Sequence, residues 1–322
     1  MDLTSPDDPL DDLLDEFPVA VAALAETARA APPAGLRART LEAALAARPP
    51  GRPAAVVEPV TPPEAFAESV ADMVALLGEL SPDEWDVGAL DTWTVRGVVG
   101  HLIAIEQYIG AHLGLWPMPP EYGDDADHRL MTESSVAAAR DATPAALIRM
   151  WKARTAAIVA RVAQMTDVEL DERVVVHGVS YRWRTVLVAR TFEVWTHASD
   201  IRAATGRAPV DPEAGRLRLM SEVAVAALPI GLALTGGVAD GRSARIVLTG
   251  PGGGAWLQPL DLAGSEEAQN ADREPAVTLV VDSVDFCRVA AQRLSPADLD
   301  AVIEGDRALA LDLLVGVSVF AA

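Results

Sequence analysis

Cysteine is almost missing from this chain, with Cys287 alone among 322 residues. A single thiol excludes an internal disulfide framework and every paired-cysteine redox or zinc motif, so thiol chemistry here needs a thiol from a small molecule. Basic residues are scarce as well. Asp and Glu number 47 against 26 Lys and Arg, a formal net charge of −21, and such a surface excludes nucleic acid and anionic membrane as general partners. The acidity itself reads as solubility and carries no information about fold. No apolar run reaches the ~20 residues that cross a bilayer, and the opening MDLTSPDDPLDD is acidic where a signal peptide is basic. A cytoplasmic protein is expected. What is abundant is apolar: 50% of the residues are hydrophobic, enough at this length for two ordinary domains.

Residues 1–60 stand apart from the rest. LDDLLDEFPVAVAALAETARA and LRARTLEAALAAR each have helical spacing, but APPAG separates them and the proline-rich RPPGRPAAVVEPVTPP follows. This predicts a short helical appendage on a semi-rigid linker. From Thr61 the helix signals strengthen. Thr61-Pro-Pro-Glu64 reads as a capping box with proline in the first turn, opening a helix through EAFAESVADMVALLGEL. Ser81-Pro-Asp-Glu84 offers another start. Thr94 caps a second helix, in which Val95, Val98, Val99, Leu102, Ile105 and Ile109 follow the 3.6-residue period. After a loop through WPMPPEYGDD, a third helix begins at Thr143-Pro144. A fourth covers about Arg184 to Thr205 and stops at Gly206, where glycine takes the left-handed conformation. Four amphipathic helices with a long excursion between the second and third predict a four-helix bundle over 61–209. RVVVHGVSYRW, just before the last helix, predicts a hairpin turning at His177-Gly178.

Beyond Pro209 the pattern changes. EAGRLRLMSEVAVAALPIGLAL is helical, SARIVLTG, AWLQPLDL and AVTLVVD are short β-rich runs, and SVDFCRVAAQRL and DRALALDLLVGVSVF return to helix. Residues 210–322 are read as a smaller α+β domain packed on the bundle, so the fold class of the whole is α+β. GPGGGAW has neither the Lys-Ser/Thr nor the strand-to-helix crossing of a phosphate loop and predicts a hairpin turn.

In RTFEVWTHASD, Glu193 and His197 stand i, i+4 on one face of the fourth helix. Such a pair is either an ordinary intrahelical contact or two thirds of a metal site. The best third ligand is His101, in mid-helix and flanked by Gly97 and Gly100, whose small size lets another helix approach. Two histidines and a carboxylate make a three-ligand zinc site with an open position. Asp200, i+3 from His197, is either an acceptor for an imidazole N–H or a helix-end residue balanced by Arg202 or Arg207. Trp195 and Phe192 are read as core, and Trp93 as a staple at the start of the second helix. His112, His128 and His177 fall at a helix end, in a loop and at a turn, and receive no role.

WTVRGVVGHLIAIE resembles the first signature of the mycothiol-dependent maleylpyruvate isomerase family, a branch of the DinB-like metal-binding four-helix bundles. RTFEVWTHASDIRAATGR is similar to its second. The resemblance runs from about Pro62 to the C-terminus and implies a DinB-like bundle followed by a smaller sterol-carrier-like α/β domain, of which TLVVDSVDFCRVAAQRL looks like part. It places the ligands of a divalent metal, normally zinc, on His101, Glu193 and His197, and their 92-residue separation suits two non-adjacent helices. It also implies mycothiol as cofactor, its sulfur adding to an activated double bond so that rotation and elimination turn cis into trans. Related proteins transfer the thiol to electrophiles instead. The family's active-site arginine from the C-terminal domain matches Arg293 best, with Arg288 one turn earlier as the alternative.

Three functions therefore stand beside one another: a mycothiol-using isomerase or S-transferase acting on a small electrophile, a zinc-dependent hydrolase, and a non-catalytic regulator contacting a protein partner through residues 1–58. The hydrolase needs a general base near the metal and works without added thiol.

Overall fold

Helix α1 (Pro62–Glu79) starts where the capping box closes, the Thr61 amide donating to Glu64 Oε2 at 2.9 Å and the Glu64 amide to Thr61 Oγ1 at 3.4 Å. A 3-10 turn (Pro82–Asp86) and a hairpin of β1 (Gly88–Leu90) and β2 (Trp93–Thr94) lead into α2 (Val95–His112). Next come α3 (His128–Asp141), α4 (Pro144–Val162), the short α5 (Asp167–Asp171), a second hairpin of β3 (Arg173–Val176) and β4 (Val179–Arg182), and α6 (Trp183–Ala204). These elements come from a computed structural model, which describes residues 57–318 except 91, 119–127, 177, 238, 240 and 262–273. The helical appendage, its linker up to residue 56, and His177 lie outside the described residues.

Helices α1, α4, α2 and α6 form the bundle, α1 packing on α4 and α6, and α2 on α4 and α6. Phe66, Met73, Leu77, Leu102, Trp151 and Leu187 fill its core. So the helices that carry His101 and Glu193, separated in the chain by other helices, are neighbours in space. Gly206 ends α6 as anticipated, at φ +67°, with the Arg207 amide donating to the Arg202 carbonyl at 2.8 Å.

Helix α3 was not foreseen within the long excursion. Among its described residues the buried apolar ones are only Met131, Val136 and Ala139, while Leu130 is 56% exposed, so it has little apolar periodicity to read. It lies across α2 at Gly100, where a Cβ would stand 2.8 Å from Ala139 Cβ and 3.0 Å from the Ser135 carbonyl oxygen. The glycine thus admits the helix, and the Ser135 hydroxyl donates to the Gly100 carbonyl at 2.7 Å.

The C-terminal part runs α7 (Ala214–Leu234), β5 (Ser243–Thr249), β6 (Gly254–Pro259), β7 (Val277–Asp282), α8 (Ser283–Ala290), β8 (Ala301–Gly305) and α9 (Arg307–Val317). The sheet order is β6-β5-β7-β8, with β5 parallel to β7 and the other pairs antiparallel. Glycines 250 and 252 make the β5–β6 turn, as expected of GPGGGAW. Strand β8 was missed. It is a short edge strand, AVIEG, mostly open to solvent and without a clear alternation. Inward residues of the sheet, Ile246 and Leu279, meet Leu228, Phe286 and Leu313 of the three helices.

Helix α7 is by length and composition apolar enough to cross a membrane, which the run-length reading missed because Arg216, Arg218 and Glu222 interrupt it. Half of its most apolar stretch is buried inside the protein. Val188 and Trp195 of α6, Leu217 and Met220 of α7, and Val284 and Cys287 of α8 form a third cluster. It joins the bundle to the sheet layer, and residues 57–322 make up one compact unit. Helix α6 is therefore buried on two sides, unlike the single-faced amphipathic helix first read there.

Candidate metal centre

Helix α2 begins at Thr94, whose hydroxyl oxygen accepts from the Gly97 amide at 3.4 Å. Two turns later His101 leaves the apolar stripe at its edge and faces α6. There Glu193 and His197 emerge between the two cores that α6 separates. One potential ligand atom from each of His101, Glu193 and His197 lies within 4.8 Å of the others. The imidazoles of His101 and His197 meet edge to face with centroids 5.1 Å apart.

Both histidines have Nδ1 occupied. His197 Nδ1 lies 3.0 Å from Asp200 Oδ2, and His101 Nδ1 lies 3.2 Å from the Thr132 hydroxyl. Burial works against ionisation of Asp200, but the hydrogen bonds from Arg293 and His197 outweigh it and hold the carboxyl below its usual range. An ionised Asp200 only accepts, so His197 donates from Nδ1, which leaves Nε2 as the ring atom for a metal. His101 Nε2 stands 2.8 Å from Glu193 Oε1. Burial pushes the His101 pKa down, favouring the neutral ring that metals require. The Thr132 hydroxyl can either donate to Nδ1 or accept from it, so it suits both tautomers of His101.

Glu193 is anchored from below. Its Oε2 accepts from Arg190, and Arg190 donates to Glu106 Oε1 at 2.7 Å. Burial opposes the charge on Glu193, but the Arg190 guanidinium and the His101 hydrogen bond outweigh it and hold the carboxylate ionised far below its ordinary range.

This donor set fits a divalent ion. Two imidazoles and a carboxylate are the usual partners of zinc, and a tetrahedral ion with bonds of ~2.1 Å spaces its ligand atoms ~3.4 Å apart. The 2.8 Å contact between His101 and Glu193 would have to open slightly to admit the ion.

The remaining sequence candidates separate cleanly. Arg293 reaches the cluster, its Nε donating to Asp200 Oδ1 at 2.6 Å and a terminal nitrogen to Oδ2 at 2.8 Å. Arg288 instead pairs with Asp285 at 2.9 Å and Asp211 at 3.2 Å. Asp200 proves to be the imidazole partner, while Arg207 goes to Glu84. Trp195 is in the core and Phe192 against it. Trp93 does more than staple α2, its ring lying 5.1 Å from that of His101. It also lines a cleft of about 200 Å³ with Asp86, Thr92, Arg96, Val136 and Arg140. His112 packs edge to face on Tyr108 at 4.5 Å, and His128 opens α3, where a loop was read.

Sequence reasoning overlooked Thr132, Glu106 and Arg190. Arg190 stands three residues before Glu193, a helical neighbour that could have been read. Thr132 lies on the unforeseen helix α3, and Glu106 is five residues past His101, outside the i, i+3/i+4 rule.

Residues 66–202 match the family model of the mycothiol maleylpyruvate isomerase N-terminal domain. Two crystal structures are similar in fold. That of a mycothiol-dependent maleylpyruvate isomerase has a TM-score of 0.50 and 16% identity, covering 74% of this chain and 91% of the other. A histidine-to-alanine mutant of such an isomerase gives 0.49 at the same identity and coverage. A search of curated proteins returned no match. His101, Glu193 and His197 all lie within the matched segment.

Proposed function

We propose that the chain is a metal-dependent, mycothiol-using isomerase or thiol S-transferase acting on a small electrophile. The observation that carries this is the meeting of His101, Glu193 and His197, from two helices, within 4.8 Å, inside a segment that matches the isomerase family's N-terminal domain. His101, Glu193 and His197 would hold a divalent ion, zinc by its donor set, and an ion there would lower the pKa of a bound thiol toward neutral pH. The one cysteine cannot supply that thiol. Cys287 is fully buried, and burial pushes its pKa up to about 12, so an external thiol such as mycothiol fits the site.

The chain's own groups set the conditions. His101 and His197 offer ring nitrogens, Glu193 offers a fixed negative charge, and Asp200 accepts from His197 Nδ1. An external thiol bound there would supply a nucleophilic sulfur, able to add to and leave from a cis double bond in the isomerase reading and to remain attached to an electrophile in the transferase reading. Of the two arginine candidates Arg293 is the one joined to the cluster, through Asp200. The cleft beside Trp93 offers room for a small molecule one ring away from His101.

A hydrolase would need a free general base beside the ligands. The neighbouring carboxylates Asp200 and Glu106 are both held in ion pairs, with Arg293 and Arg190, which favours the thiol reading.

Metal analysis of the protein and of His101→Ala, Glu193→Ala and His197→Ala, followed by calorimetric titration with mycothiol, tests the proposal. Metal in the wild type, its loss in each variant, and mycothiol heat that depends on the metal are expected. Equal metal content in all four proteins would remove the site, and metal without thiol affinity would remove the cofactor.

A further inference from the structure

The ligand cluster is connected to the C-terminal helices by one chain of hydrogen bonds. His197 Nδ1 donates to Asp200 Oδ2 at 3.0 Å, and Arg293 grips both oxygens of that buried carboxylate, at 2.6 and 2.8 Å. Two-point binding of this kind fixes the plane of a carboxylate as well as its position. With its acceptor fixed, the His197 ring cannot turn without breaking a hydrogen bond inside the protein. Its Nε2 stays aimed at the cluster.

Arg293 is itself placed by an uncommon backbone turn. Helix α8 ends in a Schellman motif, with the Arg293 amide donating to the Arg288 carbonyl at 2.8 Å and the Gln292 amide to the Val289 carbonyl at 3.0 Å. The motif needs a left-handed residue, and here it is Gln292 at φ +57°, the only non-glycine with positive φ among the described residues. Glycine is usual at this position, because a side chain makes the conformation unfavourable. Such strain persists where the surroundings over-determine it, and it gathers at functional sites. The glutamine side chain makes a contact glycine could not, Nε2 donating to the Ser318 carbonyl at 2.7 Å just past α9. A terminal nitrogen of Arg293 also donates to the Ala291 carbonyl at 2.9 Å. Both side chains are thus tied to the ends of the C-terminal helices.

We propose that Gln292 and Arg293 form a latch that positions the metal ligand His197, acting through Asp200, so that docking of the C-terminal helices sets the geometry of a centre built on the bundle. The proposal rests on the metal reading above. Arg293 acts here as a positioning residue, through the carboxylate it holds.

The test uses full-length protein stripped of metal and reloaded with Co²⁺. Its visible absorption spectrum reports ligand geometry, and chelator competition gives the dissociation constant. Arg293→Met, Arg293→Lys and Asp200→Asn are each expected to weaken Co²⁺ binding by about 10–100-fold and to change the spectrum, as loss of an outer partner of a ligand does. Lysine keeps the charge but lacks the fork, so it should not rescue. The Asp200→Asn/Arg293→Met double variant should be no weaker than the worse single one, because both break one relay. Gln292→Gly keeps the turn and loses the Ser318 contact, and should weaken binding in the same direction. Circular dichroism of the metal-free variants checks the fold, and if Arg293→Met unfolds, the lysine and glycine variants decide.

Wild-type affinity and spectrum in the folded Arg293 variants would overturn the latch, and an unchanged Gln292→Gly would remove Gln292 from it. If the wild type binds no Co²⁺, the metal reading fails and takes the latch with it. If His197→Ala loses Co²⁺ while the Arg293 variants keep it, the latch alone falls.

Discussion

Beneath the ligand cluster, Arg190 is 3% exposed and its partner Glu106 is fully buried. Two atoms of the pair, Glu106 Oε2 and Arg190 Nε, have no hydrogen-bond partner. Burial alone pushes the Glu106 pKa up, and Arg190 is the chief counterweight. Arg190 thus holds two carboxylates at once, Glu106 in the core and Glu193 at the centre. A buried pair of this kind adds little over apolar packing, but breaking it leaves an uncompensated charge. Arg190→Met should therefore destabilise the metal-free protein by about 3–5 kcal/mol, and the Arg190→Met/Glu106→Leu double variant should recover much of the loss. Urea unfolding with a chelator present measures both, and a double variant as unstable as the single one would contradict the account. The i, i+3 contact of Arg190 with Glu193 could have been read beforehand, but its pairing with Glu106 could not. Sequence spacing showed that Glu193 and His197 share a face, but it carries no information on which charge lies under which.

Two helices show how unevenly the elements could be read. Helix α2 was visible from its Thr94 cap and apolar period, whereas α3 has only a weak stripe and packs by shape instead. That packing matters for the centre, because α3 supplies Thr132 to the Nδ1 of His101. Gly97 and Gly100 did suggest that a helix comes close, although the helix itself was not recognised. In Gly100→Ala the new methyl would press on Ala139 and on the α3 backbone, which cannot yield as a flexible side chain does. A loss of about 1–3 kcal/mol is expected, the range for overpacking, with weaker metal binding as Thr132 shifts. Thermal unfolding and metal titration check the two effects, and a neutral Gly100→Ala in both would mean that α3 is not seated as described.

Across the whole molecule, the end of α6 is tied to the segment that precedes α2, close to both ligand helices. Arg207 donates to Glu84 Oε2 at 3.2 Å and to the Glu79 carbonyl at 3.1 Å. The Arg207 hydrogen bond, with help from the Ser81 amide, lowers the Glu84 pKa from 4.5 to about 2. A depressed carboxyl pKa stabilises the fold in full above the unfolded value and ceases to do so as pH falls through the folded one. The melting temperature of the wild type should therefore exceed that of Glu84→Gln by a constant margin above pH 4.5 and converge with it toward pH 2. A margin independent of pH over that window would show that the ion pair is not the link.

At this scale the division of labour is clear. Caps, periodicity and composition determined that there would be helices opening at Thr61-Pro62, Thr94, Thr143-Pro144 and about Arg184, a hairpin before the last of them, and an α+β segment after Pro209, because these depend on residues within a few positions of one another. The two signatures that resemble a known family's are local as well, and they had singled out His101, Glu193 and His197, the three side chains that the fold brings together. Only the tertiary structure decided that α2 and α6 are neighbours, that α3 braces His101, that Asp200 turns to His197, and that Arg293 joins the cluster while Arg288 does not. Those choices are made by contacts between residues far apart in the chain, where burial and charge select partners that no local spacing records.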